Sequence, residues 1–269
     1  MKHLIALLMA SSLGWCQSHG DDPDAYWVTP TGEQLDCCLH VDNLPGHPLM
    51  LRAGYSYPYA YPLGGHLETN DNAAKMVLAA PSDDAKPGSG TVSMGLFRTG
   101  LSFGQDSNFT LRATFRRPTP VPEGQGWTFA VVARDGDLVD ESDLPKIQLS
   151  FRIRPSDIQP RVQEVQDTSP PNTVRIDTPL LKDEVAGNSE PITLKLVVDR
   201  KAGVGNAFVT IGTSERRVGP ENFPLKIFGP GSDTVFRTAG VALATDTDWG
   251  KTLSVEVTDF RICTTTDHC

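Results

Sequence analysis

Long apolar stretches are what this chain most lacks. Beyond its first dozen residues nothing approaches the roughly 20 consecutive apolar residues a membrane-spanning helix needs, so no membrane span is expected. Basic charge is also short. Lys and Arg number 24 against 33 Asp and Glu, a formal net charge of −9. Binding of polyanions through bulk charge is thereby disfavoured, and nucleic acid is set aside as a partner. No segment keeps apolar residues at three-and-four spacing over three turns, so helices are not expected to organise the fold. Histidine is scarce: beyond the leader only His40, His47, His66 and His268 remain, and no Gly-x-Ser-x-Gly elbow presents a serine nucleophile.

What is present begins with a leader pattern. Met1, Lys2 and His3 form a basic start, Leu4 to Ala10 an apolar core, and Ser11 to Gly14 a small-residue stretch suited to cleavage. Export to the extracellular space or periplasm is expected, with residues 1–20 as signal peptide and 21–269 as one domain. Lipid attachment at Cys16 is the alternative, opposed by bulky Trp15 just before it. Removing Cys16 leaves Cys37, Cys38, Cys263 and Cys269, an even number that reads as disulfides in an exported chain. A bridge between adjacent Cys37 and Cys38 is strained, so each is expected to join one of the C-terminal pair. Adjacent cysteines also do not fit the spacing of structural zinc ligands.

The body of the chain alternates. Phe109, Leu111, Ala113 and Phe115 interleave with polar residues, as do Ile147, Leu149, Phe151 and Ile153. The same period recurs over 192–199, 207–211, 234–244 and 253–262. Breakers fall between, at 81–88, 118–122 and Ser169-Pro-Pro-Asn172, the last read as a loop. With 24 Gly and 21 Pro the chain is turn-rich. About a dozen strands joined by turns describe an all-β, two-sheet antiparallel β-sandwich.

Four phrases carry a resemblance: 108–118, 126–134, the pair Ile192 to Gly203 with Ala207 to Gly212, and 252–262. Together they resemble the concanavalin A-like lectin/glucanase superfamily, and its laminin-G-like members in particular. That resemblance implies a jelly-roll sandwich with one concave sheet, ligands bound on the concave face or at rim loops, and calcium at the rim. The Glu-x-Asp-x-(x)-Glu run by which the superfamily's glucanases present their carboxylates is absent; Glu141-Ser-Asp143 and Glu256-Val-Thr-Asp259 lack the second glutamate. Lys201-Ala-Gly203 echoes an alginate lyase motif but has Gly205 where that motif has tyrosine, so a hairpin turn explains it.

Three constellations stand out. Tyr55, Tyr57, Tyr59 and Tyr61 recur at a period of two, so an extended segment would place their rings on one face, suited to stacking on sugars or to covering the core. Pro58 and Pro62 confine such a segment to an edge. Arg112, Arg116, Gln148, Arg152 and Arg154 form the polar face of what reads as a pair of strands, where guanidinium forks suit an acidic sugar. Asp135, Asp137 and Asp140 lead a run of five carboxylates in nine residues, a chemistry for calcium or for a solvated loop. Asn108-Phe-Thr110 is a glycosylation sequon in a eukaryotic secretory pathway. The sequence thus points to a secreted, noncatalytic binder of carbohydrate or of an extracellular protein. A polysaccharide-cleaving enzyme with an unrecognised site is the rival.

Overall fold

The computed structural model describes residues 25–28, 40–41, 49–56, 66–70, 73–79, 91–98, 101–116, 127–135, 145–154, 157–166, 169–175, 190–246 and 252–264. Among them are seventeen strands and no helix. In chain order these are β1 (Ala25–Val28), β2 (His40–Val41), β3 (Leu49–Ser56), β4 (His66–Asn70), β5 (Ala73–Ala79), β6 (Thr91–Arg98), β7 (Asn108–Arg116), β8 (Trp127–Arg134) and β9 (Lys146–Arg154). There follow β10 (Asp157–Gln166), β11 (Ser169–Arg175), β12 (Ile192–Asp199), β13 (Val204–Ile211), β14 (Ser214–Arg217), β15 (Phe223–Pro224), β16 (Thr238–Asp246) and β17 (Thr252–Cys263).

Two sheets result. Sheet A runs β1-β3-β6-β16-β8-β9-β10-β11, and sheet B runs β14-β13-β12-β7-β17-β5-β4, with β15 added to β13 and β2 to β17. All pairings are antiparallel except β2 with β17. The last two strands of the chain are interior: β16 lies between β6 and β8, and β17 between β7 and β5.

Period-two patterning explains the layering, because successive side chains on a pleated strand point to opposite faces. On β12 the apolar Ile192, Leu194, Leu196 and Val198 are buried while the intervening side chains are half-exposed. Phe109, Leu111, Ala113 and Phe115 of β7 meet Phe129, Val131 and Ala133 of β8 and Ile147, Leu149 and Phe151 of β9 in one core. Phe115 and Phe129 touch across the two sheets with ring centroids 4.7 Å apart, and Phe129 stacks on Phe151 at 5.4 Å. Offset aromatic contacts of this kind add to what area burial alone contributes.

Ser169-Pro-Pro-Asn172, read from sequence as a loop, is instead the start of β11. The two prolines are tolerated because, among the described residues, β11 is the outermost strand of sheet A and pairs with β10 alone.

Two buried charges pin one loop. Arg200, in the hairpin between β12 and β13, is 0% exposed. Its guanidinium donates to four carbonyls: Phe228 at 3.0 Å, Phe103 at 2.7 Å, Thr234 at 2.7 Å and Ser232 at 3.2 Å. It also lies over the Phe236 ring at 5.1 Å. Burial pushes this guanidinium below the ordinary arginine value, and the charge of Asp135 pulls the other way. From the other side Glu164, on the inward face of β10 and 1% exposed, accepts the backbone N–H groups of Lys226 (2.9 Å), Ile227 (3.1 Å) and Phe228 (2.9 Å). Segment 225–236 is therefore held by a cation from sheet B and an anion from sheet A.

The hairpin turn is held by its own aspartate, with Asp199 Oδ1 accepting from the Ala202 N–H three residues on at 2.8 Å. Gly203 closes it at φ 69°, where a Cβ would stand 2.6 Å from Pro230 Cδ.

Candidate functional site

The outward face of sheet A carries an unusual row. Reading the register strand by strand, Arg52 on β3 is opposite Gly95 on β6, then Ala242 on β16, Ala130 on β8, Ser150 on β9, Arg161 on β10 and Arg175 on β11. Four small residues on adjacent strands thus form a floor between arginine positions. The flanking rows continue it, with Gly240 and Val132 on one side and Ala244 and Thr128 on the other. Small side chains lower the surface, and longer ones on β9 and β10 rise beside it. At the usual spacing of about 4.8 Å between strands, the distance from β3 to β10 is roughly 24 Å.

The wall on β9 and β10 is a ladder of amide, hydroxyl and guanidinium groups. Gln148 Nε2 donates to Gln163 Oε1 at 3.0 Å. Arg161 Nε donates to Ser150 Oγ at 3.3 Å. Arg152 sits opposite Gln159 across the same pair of strands and opposite Thr128 on β8. Gln148, Arg152, Gln159, Arg161 and Gln163 are all half-buried, whereas Ser150 at 0% and Ala130 at 3% are enclosed. Among the side chains described on this face of β16, β8, β9 and β10 there is no carboxylate. The chemistry these described side chains offer is donation to acceptors and charge pairing with anions.

The expected polar face is divided. β7 pairs with β12 and β17, while β9 pairs with β8 and β10, so β7 and β9 are not neighbours. Gln148 and Arg152 belong to the outward face of sheet A, whereas Arg112 and Arg116 lie on the outward face of sheet B, on the opposite side of the sandwich. There Arg112 donates to Asp259 Oδ2 at 2.9 Å, and Arg261 Nε donates to Asp259 Oδ1 at 3.1 Å. Arg116 is exposed, in register with Glu256. The backbone of Arg154 ends β9, and its side chain lies outside the described residues.

The tyrosine strip falls largely outside the described residues: Tyr57, Tyr59 and Tyr61 are beyond them, and of Tyr55 only the backbone is described, in register with Val92. Of the acidic run, Asp137 and Asp140 lie outside, and Asp135 forms an ion pair with Arg237. Among the described residues no group of three or more metal-ligating side chains gathers. Cys263, 1% exposed at the end of β17, is disulfide-bonded, and Cys37, Cys38 and Cys269 lie outside the described residues.

Sequence reasoning missed Ser150, Gln159, Arg161, Gln163 and the small-residue floor. The alternation Gln159, Arg161, Gln163 was a usable signal for a half-wet strand, obscured by Pro160. The floor had none, because Gly95, Ala130 and Ala242 come from distant segments that only the register brings into line.

No protein-family model matches the chain, and no curated protein does. Similar solved structures exist. One is the potassium-bound carbohydrate recognition domain of Emp46p, at 13% identity and a TM-score of 0.43 over 78% of this chain and 88% of that one. A Bauhinia forficata lectin in complex with GalNAc gives 13% identity and 0.44 over 76% and 93%. A family 7 alginate lyase, A1-II', gives 13% and 0.39 over 72% and 80%. None of these likenesses bears on what this chain binds.

Proposed function

We propose that the chain is an exported, noncatalytic carbohydrate-binding sandwich whose binding face is the outward side of sheet A, and that its ligand is an acidic glycan. The observation that carries the reading is the single register row of small residues from Gly95 to Ser150, walled by Gln148, Arg152, Arg161 and Gln163. Ala242 is the half-exposed member of that row, Gly95, Ala130 and Ser150 being buried, so a sugar ring would rest over β16 against the wall groups. Amides serve hydroxyl groups as both donors and acceptors, and guanidinium forks serve carboxylates or sulfates. Disulfides joining Cys37 and Cys38 to Cys263 and Cys269 belong to the same reading of export. A nonreducing peptide map that finds Cys37 or Cys38 as free thiols removes that part.

Binding is tested by calorimetry with polyuronate oligosaccharides and with neutral oligosaccharides of equal length. Each charge-assisted hydrogen bond is worth about 1.5–3 kcal/mol, so Arg161→Ala should weaken acidic-ligand binding by about 10- to 100-fold. Arg112→Ala, on the opposite face, should leave it unchanged. Equal loss in both variants, or no preference for the acidic ligand, defeats the assignment. Release of new reducing or unsaturated ends from the same oligosaccharides would favour an enzyme.

A further inference from the structure

Thr110 carries a buried hydroxyl that has no hydrogen-bond partner among the described residues. The residue is 0% exposed on the outward side of β7. Its cross-strand neighbours on that side are Val197 and Cys263, neither of which offers a strong acceptor. Valine would fill the same volume, keep the β-branching that suits a strand and bury no polar group. The hydroxyl is thus desolvated without compensation from the fold. Two residues earlier on the same strand stands Asn108, which is exposed, as are Gln105, Asp106, Lys201 and Ala202 around that end of the sheet. Asn108-Phe109-Thr110 is the one Asn-x-Ser/Thr triplet, with x other than proline, in all 269 residues.

We propose that Asn108 is a site of N-linked glycosylation, and that the Thr110 hydroxyl is retained for that modification and not for the fold. The inference rests on the export reading. The bond formed joins Asn108 Nδ2 to C1 of an oligosaccharide, and the bond broken joins that C1 to the pyrophosphate oxygen of a polyisoprenyl-linked donor. The pyrophosphate leaves, and the proton lost from the amide balances its charge. Transfer precedes folding, because Thr110 is inaccessible once β12 and β17 have closed on β7. The folded structure accommodates the product. With its amide nitrogen toward Asp199, Asn108 donates to Asp199 Oδ1 at 2.9 Å and to the Ser107 carbonyl at 3.2 Å. Substitution at Nδ2 consumes one N–H and leaves the other for Asp199. The attached glycan lies at an end of sheet B, apart from the face assigned to ligand.

The test is secretion of the full chain, leader included, from a eukaryotic host, with intact mass and peptide mapping before and after peptide-N-glycosidase. The expected result is a mass increment removed by the enzyme, with Asn108 converted to Asp. Asn108→Gln and Thr110→Val should each lose the whole increment, and Thr110→Ser should retain it. Thr110→Val should also melt no lower than wild type made in a host that attaches no N-glycan, a reference that keeps the Asn108 amide beside Asp199. Secreted protein with Asn108 unmodified overturns the site, as does a Thr110→Val variant of lowered melting temperature, which would give the hydroxyl a folding role. A chain found only inside the cell with its leader intact overturns export, and the site with it.

Discussion

Replacing Arg200 by methionine removes the guanidinium and keeps an apolar stem of similar reach, so it isolates the polar contacts from the packing. Four carbonyls lose a donor: Phe103, Phe228, Ser232 and Thr234. Phe103 keeps the backbone N–H of Phe236 at 3.1 Å, and Ser232 and Thr234 are half-exposed and open to water, so Phe228 is the buried carbonyl left without its donor. A buried group left unsatisfied costs about 1–3 kcal/mol. Against this stands the desolvation of the cation, which burial already registers as a lowered guanidinium pKa. The net expectation is a loss of about 1–3 kcal/mol, the cost of a neutral buried carbonyl left without a donor once no charge remains in the cluster. For a chain of this size that is a fall in Tm of about 2–12 °C. The sign of the pH dependence follows from the same shift. A base whose folded pKa is depressed carries its penalty at every pH where it is protonated, and relief comes only at strongly alkaline pH. Between pH 5 and 9 the difference between wild type and Arg200→Met should therefore be flat. Thermal unfolding measures the magnitude, and amide exchange over 226–236 measures the locality. A variant within about 1 kcal/mol of wild type, or unchanged protection in that segment, refutes the reasoning.

Glu164→Gln should cost about 1–3 kcal/mol, because the new amide nitrogen must face a backbone N–H that a carboxylate oxygen now accepts; chemical denaturation with an unchanged m-value checks it. Calcium held through Asp135, Asp137 and Asp140 should raise stability by about 2.7 kcal/mol at a hundredfold excess over Kd. Because Arg237 now pairs with Asp135, Arg237→Ala should strengthen that response. Identical melting in calcium and in chelator removes the metal.

The strands were largely legible because burial imposes its period on sequence. Phe109 to Phe115 and Ile147 to Ile153 alternate in the chain and in the fold. The ladder was not legible for a reason built into sheets: alternation fixes which face a side chain takes, not which strand lies beside it. Arg112 and Gln148 share a pattern and lie on opposite sides of the molecule. Glu164 and Arg200 escaped because each works on a loop far along the chain. A lone inward glutamate in Asp157–Gln166 looks like any strand polar residue, and an arginine in a hairpin looks like turn chemistry.

The interior placement of β16 and β17 makes the two halves of the chain unequal in what they can lose. Removing β1 would peel one strand from the rim of sheet A and leave the rest hydrogen-bonded. Removing β16 and β17 would cut each sheet in two, freeing β6 and β8 in one and β7 and β5 in the other. Four strands would then present unpaired edges flanking an open apolar core, the condition that drives strand-to-strand aggregation. A premature stop anywhere before Thr252, which removes β17 even where β16 is kept, should therefore yield an aggregating chain and not a shortened sandwich. The proportion of soluble product should fall abruptly at that boundary and not in step with length.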